Sequence, residues 1–352
     1  MENLFRGFSA AEVLASKKVN LSKSKVLRSL ASSTSVIHPT RGMKVGLVNL
    51  GNTCYMNSIM QCLNSVKSFA EYFINDAYCR DIDSRSKYGG TFASEIGTSL
   101  KMMNKGSSPV SLNGLKATVG RLHYPFAGFV QHDSHEFLLL LIDWLFEDLS
   151  GDATSVPTTV SVNMRKPFTL DTLFHGINQF RIICRACQYE SLSFEPFTIM
   201  SLSLPSSGRC TLEELLKNAY EAGPVDYKCP QCNTHGECTQ KSEIKKLPSV
   251  LILHLKRFDN FSRKMENIIE FPLVNLSLIS HATSSARNPA FYNLCAVTDH
   301  YGTLAAGHYN SLCRSWDGDT WYKCDDQNVN KTRMSGISNS AYLLFYELAT
   351  TV

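Results

Sequence analysis

The sequence predicts an α+β fold in which a helical N-terminal half faces a β-rich C-terminal half, and three observations carry that prediction. Apolar residues recur at helical spacing through much of residues 46–150. After about residue 165 they alternate or run in short blocks bounded by turn residues. The 352 residues are 43% apolar, enough for a large core in one multi-lobed domain or two intimate ones. Helices that precede strands, rather than alternating with them, give the α+β order.

The first element follows the turn-rich segment Gly46 to Thr53. Met56, Ile59, Met60, Leu63 and Val66 recur at helical spacing, so Cys54 opens a helix. Gly46, Gly51 and the asparagines between and beside them permit the tight backbone that exposes such a sulfur. Free N–H groups and the helix dipole at that end favour thiolate over thiol. A segment of this kind alone is more often structural, so a nucleophile here requires a partner base.

Phe137 to Leu149 is apolar nearly all round, which suits a helix buried in a core. Asp133, with Glu136 three residues later, has capping-box character. Strands are then expected at Phe180–Cys184, Ser191–Phe194 and Ile199–Leu204, and a short helix over 211–220 begun by Thr211 with Glu214 three later. Further strands are expected at Val250–Phe258, Tyr292–Thr298, Tyr309–Cys313, Thr320–Cys324 and Ala341–Tyr346. Pro, Gly and Ser punctuate the chain near 37–45, 104–114, 150–168, 204–210 and 280–290, and neither an internal repeat nor a long low-complexity tract is present.

Charge and cysteine usage exclude several classes. Residues 1–45 hold eight Lys/Arg against Glu2 and Glu12, so a net charge of +4 leaves the remainder at about −2. A slightly acidic body argues against a nucleic-acid-binding core. The first 42 residues read as a flexible basic arm, with some likeness to a mitochondrial transit peptide. The longest apolar stretch, Phe137 to Phe146, is too short to span a bilayer and is interrupted by Asp143, so no membrane role is expected. Twelve cysteines in a chain of this length, beginning without a secretory pattern, fit a reducing cytosol or nucleus better than a disulfide framework.

Four of those cysteines form two knuckles, Cys184-Arg-Ala-Cys187 and Cys229-Pro-Gln-Cys232. Two such turns suit tetrahedral Zn²⁺ bound by four thiolates, a closed site with structural rather than catalytic use. A redox pair or two unrelated turns are the alternatives, but a redox C-x-x-C normally opens a helix and these surroundings read as strands. Cys210, His235 and Cys238 are near enough to substitute as ligands.

A nucleophilic cysteine needs a base, and the base needs an orienting acceptor. Gly302 to Gly307 is a turn leading into a strand that begins at His308. If 309–313 and 320–324 form a hairpin, Asp325 emerges beside His308, and Cys54, His308 and Asp325 make a thiol acyl-transfer set.

These motifs together resemble the ubiquitin-specific proteases. Gly46 to Leu63 is similar to their cysteine box; Gly307-His308-Tyr309, Trp321-Tyr322 and Asp325-Asp326 are similar to their histidine box. Gln131 to Leu138, Leu255 to Phe258 and the paired knuckles fit the same pattern in the same order. The resemblance implies a papain-like fold over 43–350, with a helical thumb at about 43–165, zinc-bearing β fingers at about 175–250, and a β-rich palm at about 165–175 and 250–350. It implies Cys54 as nucleophile, His308 as base and then acid, Asp325 as its orienter, Asn49 as oxyanion-hole donor and Asp326 as a second orienting or oxyanion group. Asp133, Glu136, Gly307 and Tyr309 are implied substrate contacts, the two acids pairing with arginines in the ubiquitin tail. The substrate implied is ubiquitin on modified proteins, cleaved by a monomer. A weakly active pseudo-enzyme, a protease for a ubiquitin-like modifier and a zinc-organised interaction module are the alternatives.

Two departures stand out. His132 and His135 interrupt the family's glutamine-rich stretch, with consequences for substrate contacts or pH sensitivity. Cys324 stands where an aromatic residue usual to the family precedes the acid, which predicts looser packing around Asp325.

Overall fold

The computed structural model describes residues 45–105, 109–150, 169–236, 238–286, 290–303, 306–318 and 320–349. The basic arm over 1–42 and the punctuated stretch 151–168 lie outside the described residues.

The N-terminal half is helical as expected: α1 (Cys54–Ser65), α2 (Lys67–Ile74), α3 (Thr91–Lys105), α4 (Asn113–Leu122), α5 (Ser134–Ser150) and, after the undescribed stretch, α6 (Thr169–Phe174). All twelve residues of α1 are buried, so this helix is an axle rather than a surface element. α5 starts where the sequence places it: Asp133 Oδ1 accepts the N–H groups of His135 at 2.6 Å and Glu136 at 3.2 Å, satisfying two donors of the first turn. At its other end the fully buried Asp148 accepts from the N–H groups of Gly90 and Ala93, both at 2.9 Å, and so joins α5 to the start of α3.

The C-terminal half consists of β1 (Gly176–Cys184), β2 (Glu190–Phe197), β3 (Ile199–Ser203), β4 (Arg209–Thr211), α7 (Leu212–Tyr220), β5 (Gly223–Val225), β6 (Cys238–Lys246), β7 (Val250–Lys256), β8 (Ile268–Glu270), β9 (Leu276–Ser277), β10 (Phe291–Gly302), β11 (Gly307–Arg314), β12 (Trp321–Asp325), β13 (Asn328–Thr332), β14 (Ile337–Ser338) and β15 (Ala341–Leu348). The main sheet runs β13-β12-β11-β10-β15-β7-β3 with β9 beside β10. A separate sheet, β2-β1-β6-β5, carries the knuckles, and β14-β8-β4 form a small third one.

Side-chain alternation turns the main sheet into a wall between two cores. Val250 and Ile252 of β7, with Leu343 and Phe345 of β15, face the helical half; Leu251, Leu253, Leu255, Leu344 and Tyr346 face α7. α7 begins with the expected capping box: Thr211 Oγ1 accepts from the Glu214 N–H at 3.2 Å and the Glu214 carboxylate accepts from the Thr211 N–H at 2.8 Å. Arg257 is fully buried and donates to the carbonyls of Ala341, Met265 and Asn267, tying the segment after β7 to the start of β15.

The strand with the weakest sequence signal, β6, is mostly Lys, Thr, Gln, Ser and Glu. It sits in the small sheet, where only Cys238 and Ile244 of its nine residues are buried, so solvent on both faces removes the apolar alternation. No helix among the described residues is long and apolar enough to cross a membrane.

Candidate active site

Cys54 is the first residue of α1, and the chain reaches it through two left-handed residues, Gly51 (φ 97°) and Asn52 (φ 57°). A Cβ on Gly51 would lie 2.6 Å from the Phe129 ring, so glycine is required by space as well as by φ. Asn49 braces the same turn: its Oδ1 accepts the N–H groups of Gly51 at 3.0 Å and Thr53 at 3.1 Å.

Cys54 is 5% exposed. Burial pushes its pKa up, and the nearby Asp326 carboxylate adds to that; the backbone N–H groups of Tyr309, Tyr55 and Cys54 itself pull it down. The balance is a raised pKa, the reverse of the thiolate expected from a helix N-terminus, because desolvation and a like charge outweigh the amide donors in the free protein. The thiol needs a base.

The hairpin expected to bring that base exists. β11 and β12 are antiparallel with Ser311 opposite Cys324, and His308 Nε2 lies 2.7 Å from Asp325 Oδ1. A carboxylate only accepts, so Nε2 carries the proton and Nδ1 is the nitrogen left for a thiol. Among the described residues no hydrogen bond joins Cys54 to His308; the Tyr309 N–H meets the sulfur instead, so the residue next to His308 touches Cys54. Catalytic hydrogen bonds of this type commonly tighten only with substrate.

Asp326 holds the left-handed residue of the β12–β13 turn, at φ 48°, and accepts on both carboxylate oxygens: Oδ2 from Asn49 Nδ2 and Oδ1 from Asn57 Nδ2, each at 2.8 Å. Its carbonyl accepts from the Leu47 N–H at 2.8 Å, and a Cβ on Gly46 would lie 2.1 Å from the Gln327 carbonyl oxygen. The segment before Cys54 is therefore pressed onto the turn that carries both acids, which is the physical reason for a glycine at 46. Asn57 escaped the sequence reading. The available signal was a polar side chain three residues after Cys54 in a helix whose apolar residues mark it as buried, although Ser58, Gln61, Asn64 and Ser65 share that character.

The remaining expected contacts divide. Glu136 is exposed on the first turn of α5, while Asp133, besides capping that helix, accepts the Tyr342 hydroxyl at 2.5 Å. Gly307 donates its N–H to Gln131 Oε1 at 2.6 Å, pinning the strand of His308 to the loop before α5. The Tyr309 ring is 7% exposed and packs against His300 and Tyr342, so it is the backbone of this residue that reaches the site. His132 stacks on Phe126 and His135 on His254, and both are half-buried. Cys324 is buried in the core with Cys62 and Cys313, and the 2.7 Å His308–Asp325 contact is not loosened by it.

The knuckles converge. Cys184 Sγ lies 3.7 Å from Cys232 Sγ, Cys187 Sγ lies 3.6 Å from Cys229 Sγ, and all four sulfurs fall within 4.8 Å of one another. A tetrahedral ion with bonds of about 2.3 Å needs sulfurs about 3.8 Å apart, close to the 3.7 and 3.6 Å separations here, so these residues could hold a metal ion. The substitutes are placed elsewhere: Cys210 is in the second core, His235 pairs with Asp226, and Cys238 packs beside Cys184 outside the four. None of the twelve cysteines is in a disulfide.

The family profile described as "Ubiquitin carboxyl-terminal hydrolase" matches residues 45–346. The chain belongs to that family. Its relatives in the ubiquitin carboxyl-terminal hydrolase family include ubiquitin carboxyl-terminal hydrolase 2 of Homo sapiens, 32% identical over 336 residues that take in 87% of this chain and 55% of the relative. The same protein of Gallus gallus is 33% identical over 334 residues, covering 87% of this chain and 93% of the relative. The chain thus spans about half the length of the mammalian relatives (55%). Among solved structures, a chain of the SAGA DUB module Ubp8/Sgf11/Sus1/Sgf73 bound to monoubiquitin is 25% identical, with a TM-score of 0.73 over 89% of this chain and 71% of that one. The mixed helix and sheet architecture is that of the hydrolase family's catalytic domain, as the sequence predicted.

Proposed function

We propose that this protein is a cysteine-type deubiquitinase that cleaves the bond after the C-terminal glycine of ubiquitin. The observation that carries the reading is the convergence of Cys54, His308 and Asp325 from three separate elements in a member of this family. His308 Nδ1 takes the thiol proton and the sulfur attacks the carbonyl carbon. The oxyanion accepts from an Asn49 N–H and the backbone at Cys54, His308 returns the proton to the departing amine, and water then hydrolyses the thioester.

The cleft walls suit the substrate. Glu136 presents a carboxylate with no ion-pair partner among the described residues, ready for an arginine of the extended ubiquitin tail. Leu192 and Phe194, exposed on β2, offer apolar surface to the folded body of the modifier. The four knuckle sulfurs would hold structural zinc, which fixes the end of the small sheet and supplies no catalytic position. Unpaired cysteines throughout support a reducing compartment, cytosol or nucleus, as its place of work.

Release of a fluorescent amine from the C-terminus of ubiquitin tests this reading. The expected result is turnover that Cys54→Ala abolishes and that other ubiquitin-like modifiers do not support. Turnover of a different modifier in preference to ubiquitin would move the substrate assignment, and binding without turnover would leave the pseudo-enzyme.

A further inference from the structure

Asn57 is 2% exposed on the inner side of α1, one turn beyond the nucleophile. Its Nδ2 donates to Asp326 Oδ1 at 2.8 Å, while its Oδ1 is buried with no partner. The orientation of the amide is fixed by chemistry, since turning it would face a carbonyl oxygen to a carboxylate. A buried acceptor left unmatched is a cost that folds tolerate mainly at functional sites.

The other Asp326 oxygen holds Asn49. That amide makes four bonds: Oδ1 accepts from the N–H groups of Gly51 and Thr53 and, at 3.5 Å, from the Thr53 hydroxyl, and one Nδ2 hydrogen goes to Asp326. One N–H remains, and its direction is set by the other four. Asp326 also has a competing partner, because its carboxylate and the rings and acids of His308 and Asp325 place their ligand atoms within 4.8 Å of one another. When His308 becomes an imidazolium during the reaction, an untethered Asp326 would swing toward it and draw Asn49 along.

We propose that Asn57 is a positioning residue: by holding Asp326 away from His308 it keeps the last Asn49 N–H aimed at the developing oxyanion. The inference rests on the deubiquitinase reading, and it assigns Asn57 a role that acts through Asp326 and Asn49 rather than on the substrate.

The test uses the full chain and the fluorogenic ubiquitin substrate. Asn57→Ser and Asn57→Leu are expected to lower kcat by about 10²-fold, the scale of an impaired oxyanion donor, with KM changed less than about twofold. Asp326→Asn combined with Asn57→Leu should be no slower than the slower single variant, because both remove one coupled device. Exchanging the pair, Asn57→Asp with Asp326→Asn, restores a donor facing an acceptor and should recover at least about tenfold over Asn57→Asp alone. A Tm within a few degrees of wild type for Asn57→Ser keeps the rate effect separate from folding. Undiminished kcat in both Asn57 variants, multiplying losses in the double variant, or a rate that follows Tm alone overturns the inference. An inactive wild type would instead sink the activity reading. In that case the pH midpoint for alkylation of Cys54 decides: loss of Asn57 should lower it as Asp326 moves off the sulfur, and an unchanged midpoint contradicts the proposal.

Discussion

The backbone N–H of Tyr309 meets the sulfur of Cys54, so the first residue of α1 is held by the strand that carries His308. Alignment of the proposed catalytic residues is thus a property of how the two halves dock. Beside the site the halves meet through Leu47 and Gly46 on the Asp326–Gln327 turn, the two asparagines on Asp326, and Gln131 on Gly307, within an interface that also holds the Asp133–Tyr342 hydrogen bond and the core shared by the helices and the main sheet.

Gly46→Ala places a methyl 2.1 Å from the Gln327 carbonyl oxygen, which backbone must move to relieve. The expected outcome is a loss of kcat of about tenfold or more with most of the fold intact, since small misplacements at a reacting centre are costly. Steady-state kinetics beside a melting curve checks it; an active Gly46→Ala variant would show that this contact does not align the site.

Asp325→Asn keeps the shape of the acceptor but lets an amide N–H face His308 Nε2, which promotes the wrong ring tautomer. A fall in kcat of roughly 10²–10⁴-fold is expected, with little change in ubiquitin binding. The measurement is kcat alongside the Kd for ubiquitin, and a fall in affinity of the same size as the fall in kcat would assign Asp325 to binding instead.

The histidines make the fold acid-sensitive. Burial pushes His254 down to about 3, with the stacked His135 and Lys256 adding to the shift, and burial pushes His300 down to about 4. The unfolded chain takes these protons near pH 6.5. Between those values the unfolded state binds more protons than the folded one, so stability that is complete above about pH 6.5 is lost as pH falls toward 4. Melting curves across that range should show the decline, and His254→Phe should flatten it; an equal slope in the variant would remove His254 from the account.

Chelation should act at a distance from the chemistry. Stripping metal with a strong chelator, or Cys229→Ser, is expected to lower Tm by several degrees and weaken ubiquitin binding, while reaction of Cys54 with a small alkylating agent continues. A Tm insensitive to chelation in a sample shown to lose zinc would contradict a structural ion at the knuckles.

The sequence was most legible where one physical rule dominated. The nearly all-apolar stretch of α5, the Thr211 capping box and the hairpin that places Asp325 beside His308 each follow from local pattern, and each appears as expected. The polar strand β6 was hidden because a sheet wetted on both faces needs no alternation. The state of Cys54 was misjudged because the helix dipole is readable from sequence, whereas burial and the charge of Asp326, 272 residues away in the chain, are not. Cys324 was expected to loosen the site, yet it is buried in the core with Cys62 and Cys313, and Asp325 still meets His308 at 2.7 Å. Asn57 was written in the motif in plain view, but its meaning depends on which turn it faces.

If Cys54 attacks the C-terminal carbonyl of ubiquitin, an electrophile placed at that carbon traps the sulfur. Ubiquitin bearing a C-terminal electrophile, incubated with the intact protein and followed by mass spectrometry, measures this most directly. One covalent ubiquitin is expected on the wild-type chain, mapped to Cys54 and lost in Cys54→Ala. An unmodified wild type, or an adduct on another cysteine that survives the Cys54 substitution, would contradict it.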